Sequence, residues 1–299
     1  MAIAQSPGVG TREKSLLIAL SVCTFDLVLT ANAAWLSNSI AILGDLLKES
    51  TDTLAVLAAV FTLRVVQRPS DHRFSYGIGR LENLVSILIG SLMLGSAILV
   101  SVLAAQQFVT PHRPHGTLFG IGVFALHGII GTAIFLRTRS ALRRQPSVLM
   151  SSQARLWMAK TFYDFTMAGG LALALVFRSE SWSWYIDPAA SMIGVALMLH
   201  AAWGMASSSV GDLLDASVEE ATQLQIMRHM VAHIDDYERL HGVRTRRSGS
   251  NLFVEVSLEF DPLWSMGDVQ HRIETIRHDV EGALPGARVS VCPVRGDPV

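Results

Sequence analysis

The sequence predicts a membrane protein of the all-α class, with six transmembrane helices followed by a small cytoplasmic α+β domain. Three observations carry this. Half of the 299 residues are apolar and only 16% are charged, against about a quarter in soluble domains, so lipid is the main solvent. Six segments, 15–36, 39–63, 84–109, 117–136, 156–177 and 186–206, approach the ~20 apolar residues that a helical span requires. Beyond Gly211 the pattern changes to short amphipathic stretches with helical and strand periods. The expected divisions are a tail at 1–14, a membrane domain at 15–208 and a cytoplasmic domain at 209–299.

Inside lipid every backbone group must be satisfied within its own segment, which makes the six segments helices. Gly90 and Gly95, and Gly169 and Gly170, supply small side chains for close helix approach. Orientation follows from basic residues in the short loops. Arg12 and Lys14 precede the first span; Arg64, Arg68, Arg73 and Arg80 follow the second; Arg137, Arg139, Arg143, Arg144 and Arg155 follow the fourth. The opposite loops hold Arg113 and Arg178. Both termini are therefore expected in the cytoplasm. The N-terminal residues lack the order of a secretory signal, so the first segment is expected to stay as an anchor. Short loops and no transit peptide favour a bacterial inner membrane. Cys23 and Cys292 are expected to be ordinary core residues rather than a disulfide.

In the C-terminal part, Leu224, Met227, Val231 and Ile234 recur at helical spacing within 219–236. In 252–260, Phe253, Glu255, Ser257 and Glu259 alternate with Val254, Val256, Leu258 and Phe260, the pattern of a half-buried strand. A second amphipathic helix at about 266–283 precedes a break at Pro285-Gly286 and a last strand, ARVSVC. The expected order is helix, strand, strand, helix, strand, with antiparallel strands and the helices on one face. His229, His233 and His278 fall on these helices as solvated surface residues.

The apolar spans contain charges. In the second, Asp45, Lys48, Glu49 and Asp52 sit at i, i+3, i+4 and i+7 and share one helical face. In the fifth, Lys160 and Asp164 lie four apart; Asp26 interrupts the first span and His127 the fourth. A charge at the bilayer centre costs roughly 2.5–3.5 kcal/mol, so such residues pair or line a pathway. Lys48–Asp52 and Lys160–Asp164 as purely structural salt bridges are one reading; a functional cavity is the other and accounts better for six charges on two short faces.

SNSIAILGDLLKESTD and the following RPSDHRFSYGIGRLEN resemble the second helix and its loop in the cation diffusion facilitator family. The fifth-span segment with Asp164, Asp187-Pro188, LLDASVEE, HGVRTRRSGSNLFVEVSLEF and VQHRIETIRHDVEGALPGARV extend the resemblance over residues 12–292. It implies a metallochaperone-like cytoplasmic domain and a homodimer, or a heterodimer with a related transporter. It also implies efflux of a divalent metal (zinc, iron, manganese or cobalt) in exchange for protons. The family's central site uses an aspartate and a residue four earlier from each of the second and fifth helices. Here Asp52 and Asp164 hold the aspartate positions, but Lys48 and Lys160 replace their partners. A protonated lysine has donors and no acceptor, so it is no metal ligand. Glu49 is the candidate replacement, while Asp45 matches an acidic position of the family and either serves the structure or helps hold the ion. Asp71 remains in the loop site while Phe74 and Ile78 stand at histidine positions. His241 and His271 match cytoplasmic metal positions; Ser257, Cys292 and Val294 stand at others. Arg80 and Asp215 match a basic–acidic interlock across the dimer.

The paired change is informative, because two ammonium groups supply the charge of one dication. The lysines then either substitute for the ion, as in a non-transporting regulatory partner, or one lysine loses its proton during a transport cycle. The expected function is a cation diffusion facilitator-type transporter with an atypical Lys/Asp site. The alternative is a family member that supports a partner transporter. No resident cofactor and no nucleic acid are expected; lipid and a metal cation or proton are. No nucleophile–base pair or phosphate-binding glycine loop suggests an enzyme.

Overall fold

The computed structural model describes residues 9–37, 40–66, 78–110, 117–144, 147–284 and 286–295. The chain forms two compact units, Met1–Ser209 and Val210–Val299. Six long helices build the first: α1 (Val9–Ser37), α2 (Ile40–Val66), α3 (Arg80–Val109), α4 (Thr117–Arg144), α5 (Val148–Val176) and α6 (Ile186–Leu213), whose last turn enters the second unit. Each is longer than its apolar segment and runs beyond it at one end or both. Segments of α1, α3, α4 and α6 are long and apolar enough to cross a membrane; α2 and α5 are as long but carry the charges.

α2 packs on α1 and α3, α5 on α4 and α3, and α2 also meets α5. The core joins Val56, Ala59, Ile89, Leu149, Met150, Trp157 and Met205. Phe25, Phe61, Leu126, Phe162 and Trp203 turn outward, as expected for helices solvated by lipid. Of the four glycines singled out above, two make close approaches. Gly90 faces the Ala202 carbonyl and Met205 of α6, and Gly170 faces Ala190, whereas Gly95 and Gly169 have nothing near their α-carbons' open side.

The second unit follows in the order α7 (Glu220–Ala232), β1 (Arg239–Ser248), β2 (Asn251–Glu259), α8 (Met266–Ala283) and β3 (Ala287–Pro293). β2 buries Leu252, Val254, Val256 and Leu258 against Ile276 and Val280 of α8, so its alternation is that of the sequence. α8 starts in a capping box in which Ser265 and Asp268 satisfy each other's backbone N–H groups. Two expectations are corrected. β1 and β2 are antiparallel, but β3 runs parallel to β2, because α8 carries the chain back along the sheet before the last strand. α7 buries Ile226 and Met230, leaving Leu224, Met227, Val231 and Ile234 exposed. The two sets are both helically spaced, and periodicity alone could not choose between them.

His229 and His233 are also not simply solvated. His229 Nδ1 lies 2.8 Å and His233 Nε2 3.3 Å from Asp279 Oδ2, and His233 Nδ1 lies 2.9 Å from Asp236 Oδ2. Arg272 Nη1 donates to Asp236 Oδ1 at 2.5 Å. The hydrogen bond from His229 holds the Asp279 carboxyl below its ordinary value of 3.8. A carboxyl depressed in the folded state stabilises it above the unfolded value, and that contribution vanishes as pH falls through the lower folded value. Asp279→Asn should therefore flatten the loss of melting temperature on acidification from about pH 5 to about pH 3, measured by scanning fluorimetry on the full chain. An unchanged acid slope would refute it.

Candidate transport site

α2 and α5 face each other where their charges lie. Lys48, Glu49 and Asp52 of α2 and Lys160 and Asp164 of α5 are all buried. Glu49 is the centre of the cluster. Its Oε1 accepts from Lys48 Nζ at 3.3 Å and its Oε2 from Lys160 Nζ at 2.7 Å. Asp52 Oδ2 lies 3.8 Å from Lys48 Nζ and 3.4 Å from Lys160 Nζ. Lysine nitrogens thus occupy both of these carboxylates.

Lys160 turns across the helix interface to α2 rather than forming the i, i+4 pair with Asp164. Asp164 is 3% exposed, and its Oδ2 has no hydrogen-bond partner among the described residues. Lys48, Lys160 and His127 lie within its electrostatic reach. Aromatic rings flank the ammonium groups, with the Tyr163 centroid 5.1 Å from Lys48 Nζ and that of Trp157 5.8 Å from Lys160 Nζ. Tyr163 of α5 also lies against Gly194 of α6. The two isolated charges of the first and fourth helices find each other, His127 Nε2 being 3.4 Å from Asp26 Oδ1.

The remaining positions are more dispersed. Asp45 belongs to α2, but its side chain, like Asp71 and Phe74, lies outside the described residues. Ile78 precedes α3. His241 sits at a bulge in β1 and its Nε2 lies 3.0 Å from Glu259 Oε2. Ser257 is registered between Gly242 and Cys292, and His271 is exposed on α8. Cys23 and Cys292 are free thiols. Among the described residues no three His, Cys, Asp or Glu side chains are placed to hold one metal ion. Asp215 adopts a left-handed backbone (φ 56°) after α6, and its Oδ1 lies 3.6 Å from Arg246 Nη1 of β1. Arg80 opens α3.

Sequence reasoning missed a second buried polar group near the start of α5. Glu82 of α3 accepts from Ser147 Oγ at 2.6 Å and from the Leu149 N–H at 3.4 Å. The Ser86 and Ser152 hydroxyls are hydrogen-bonded to each other, and Arg155 donates to the Gly204 carbonyl. The signal was available in Glu82, Asn83 and Gln153, polar residues within or beside apolar helices.

Residues 16–214 match the family described as cation efflux transmembrane domain, and residues 220–291 match the cation efflux protein cytoplasmic domain. The chain belongs to the cation efflux family, whose members are multi-pass membrane transporters. It is 26% identical over 288 residues to the cation-efflux pump FieF of Shewanella oneidensis, covering 95% of this chain and 93% of that protein. It is 24% identical over 262 residues to the zinc transporter ZitB of Yersinia pestis, covering 88% and 82% of the two chains.

Proposed function

We propose that this chain is a dimeric transporter of a bacterial inner membrane that exports a divalent metal in exchange for protons through an atypical Lys/Glu/Asp site. The zinc and cation-efflux relatives support the metal class. All six long helices span the membrane and both termini face the cytoplasm, in keeping with the arginine-rich loops. The observation that carries the reading is Lys160 Nζ at 2.7 Å from Glu49 beside the unpartnered Asp164 Oδ2. Asp164 is then the first contact for an arriving cation. Glu49 and Asp52 become ligands as the ammonium groups are displaced, and Asp45 completes the acidic face.

In this reading Asp71, His241 and His271 are accessory metal positions, and Arg80 and Asp215 interlock two copies. The second reading, a member that supports a partner transporter without moving metal, draws on the absence of an assembled ligand trio among the described residues. Uptake of zinc, iron and manganese into proteoliposomes separates the two. Transport by the parent should be lost in Asp52→Ala and in Asp164→Ala. A parent that moves none of the three ions would favour the supporting role.

A further inference from the structure

The charges of the membrane unit share one interior. α1 packs on α2, α2 on α5, α5 on α4 and α4 on α1, which closes a ring of four helices. α2 and α5 bring the Lys/Glu/Asp cluster to it. α1 and α4 bring Asp26 and His127, the His127 Nε2 lying 3.4 Å from Asp26 Oδ1. Cys23, one turn before Asp26 on α1, lies within electrostatic reach of Asp26, Glu49, Asp52 and Lys160. His127 itself lies within reach of Lys160 and Asp164 of α5. The pair thus adjoins the cluster, yet among the described residues no ion pair ties it to the lysines or the other carboxylates.

Lys48 and Lys160 answer Glu49 and Asp52. That leaves Asp164 and Asp26, both buried, with no lysine or arginine in ion-pair contact among the described residues. A buried carboxylate without a counter-charge is costly, and the group that meets Asp26 is an imidazole. Neutral, His127 donates a hydrogen bond and leaves the charge of Asp26 standing; protonated, it cancels that charge. Histidine is the side chain whose ordinary range makes this change near neutral pH. The His127 side chain is 25% exposed against 7% for Asp26, so the imidazole is the member open to proton exchange.

A dication in the same interior would cancel Asp26 and Asp164 together. Ion and proton are therefore alternative ways of discharging one enclosure, which is what an exchange requires. We propose that Asp26 and His127 are the proton-carrying pair of this chain. Nε2 faces Asp26 and keeps its hydrogen on Oδ1, which makes Nδ1 the exchanging position. As the dication enters, the Nδ1 proton leaves for the solvent and the ring becomes neutral; as the dication leaves, Nδ1 takes a proton back. Lysine nitrogens hold the carboxylates of α2, so proton carriage passes to α1 and α4. This assignment rests on the transport reading and names where its proton rides.

The test counts protons released when zinc is added to saturation to the full chain in weakly buffered nanodiscs, with zinc uptake into proteoliposomes measured separately. His127→Gln keeps a donor toward Asp26 but cannot carry a proton. At about pH 6, below the ordinary imidazole value of about 6.5, it should release about one proton fewer per chain than the parent. That deficit should shrink as pH rises and the imidazole arrives already neutral. Zinc held on surface histidines releases the same protons from both proteins and drops out of the difference. Where His127→Gln fails to fold, Asp26→Asn serves: without the carboxylate the imidazolium is less favoured, and release at about pH 7 should fall below that of the parent. A merely structural pair would move stability and leave the proton count alone. Equal release by the parent and the variants overturns the assignment, and zinc uptake by the parent alongside it leaves the transport reading in place. A deficit in the variants of a protein that takes up no zinc leaves the pair standing and removes the transport reading instead.

Discussion

Glu49→Ala should destabilise the membrane unit by about 3–5 kcal/mol, the cost of breaking a buried ion pair from one side. The substitution removes the carboxylate that both Lys48 and Lys160 share and leaves two ammonium groups on Asp52 alone. In a chain of this size each kcal/mol shifts the melting temperature by about 2–4 °C, so a fall of roughly 10 °C in detergent is expected. Replacing charges in neutral sets should behave differently. Glu49→Gln combined with Lys160→Met removes one charge of each sign and should recover most of the loss, because apolar replacements of a buried pair are often tolerated. A Glu49→Ala protein that melts with the parent would show that the cluster contributes nothing to the fold.

Lys48→His combined with Lys160→His should create tight zinc binding in the membrane unit. The double substitution removes both positive charges and places two imidazoles four residues before Asp52 and Asp164. Two histidines and two carboxylates form a ligand set suited to a tetrahedral dication. Zinc at a hundredfold excess over its dissociation constant should stabilise the variant by about 2.7 kcal/mol, read as a zinc-dependent rise in melting temperature. The parent should show a much smaller rise at the same concentration, because an arriving ion must first displace the ammonium groups from Glu49 and Asp52. A parent that gains as much from zinc would mean that the lysines do not weaken metal binding at all.

Much of this architecture is written in apolar periodicity, but not all of it. The six long helices and the order of the C-terminal elements follow from run length and from the alternation of β2. The parallel pairing of β3 does not, because strand direction depends on where α8 returns the chain. The buried face of α7 was illegible for a different reason, since two interleaved apolar sets both fit a helix. At the site, spacing placed Lys48, Glu49 and Asp52 on one face. It could not show that Lys160 leaves its neighbour Asp164 to reach Glu49, a choice made by the packing of α5 on α2. The pairing of Asp26 with His127 likewise joins residues 101 positions apart, on two different helices.

The placement of one lysine and one aspartate a turn apart on α5 has a consequence for valence. Lys48 and Lys160 together balance Glu49 and Asp52, so the joined side chains sum to zero. A slide of α5 by one helical turn, about 5.4 Å, would bring Asp164 opposite α2 in place of Lys160. The same region would then hold one lysine and three carboxylates and sum to minus two. Such ratchets of one element past another occur in switching proteins. A single mechanical step would therefore alter the site by two elementary charges, the number that one divalent cation carries.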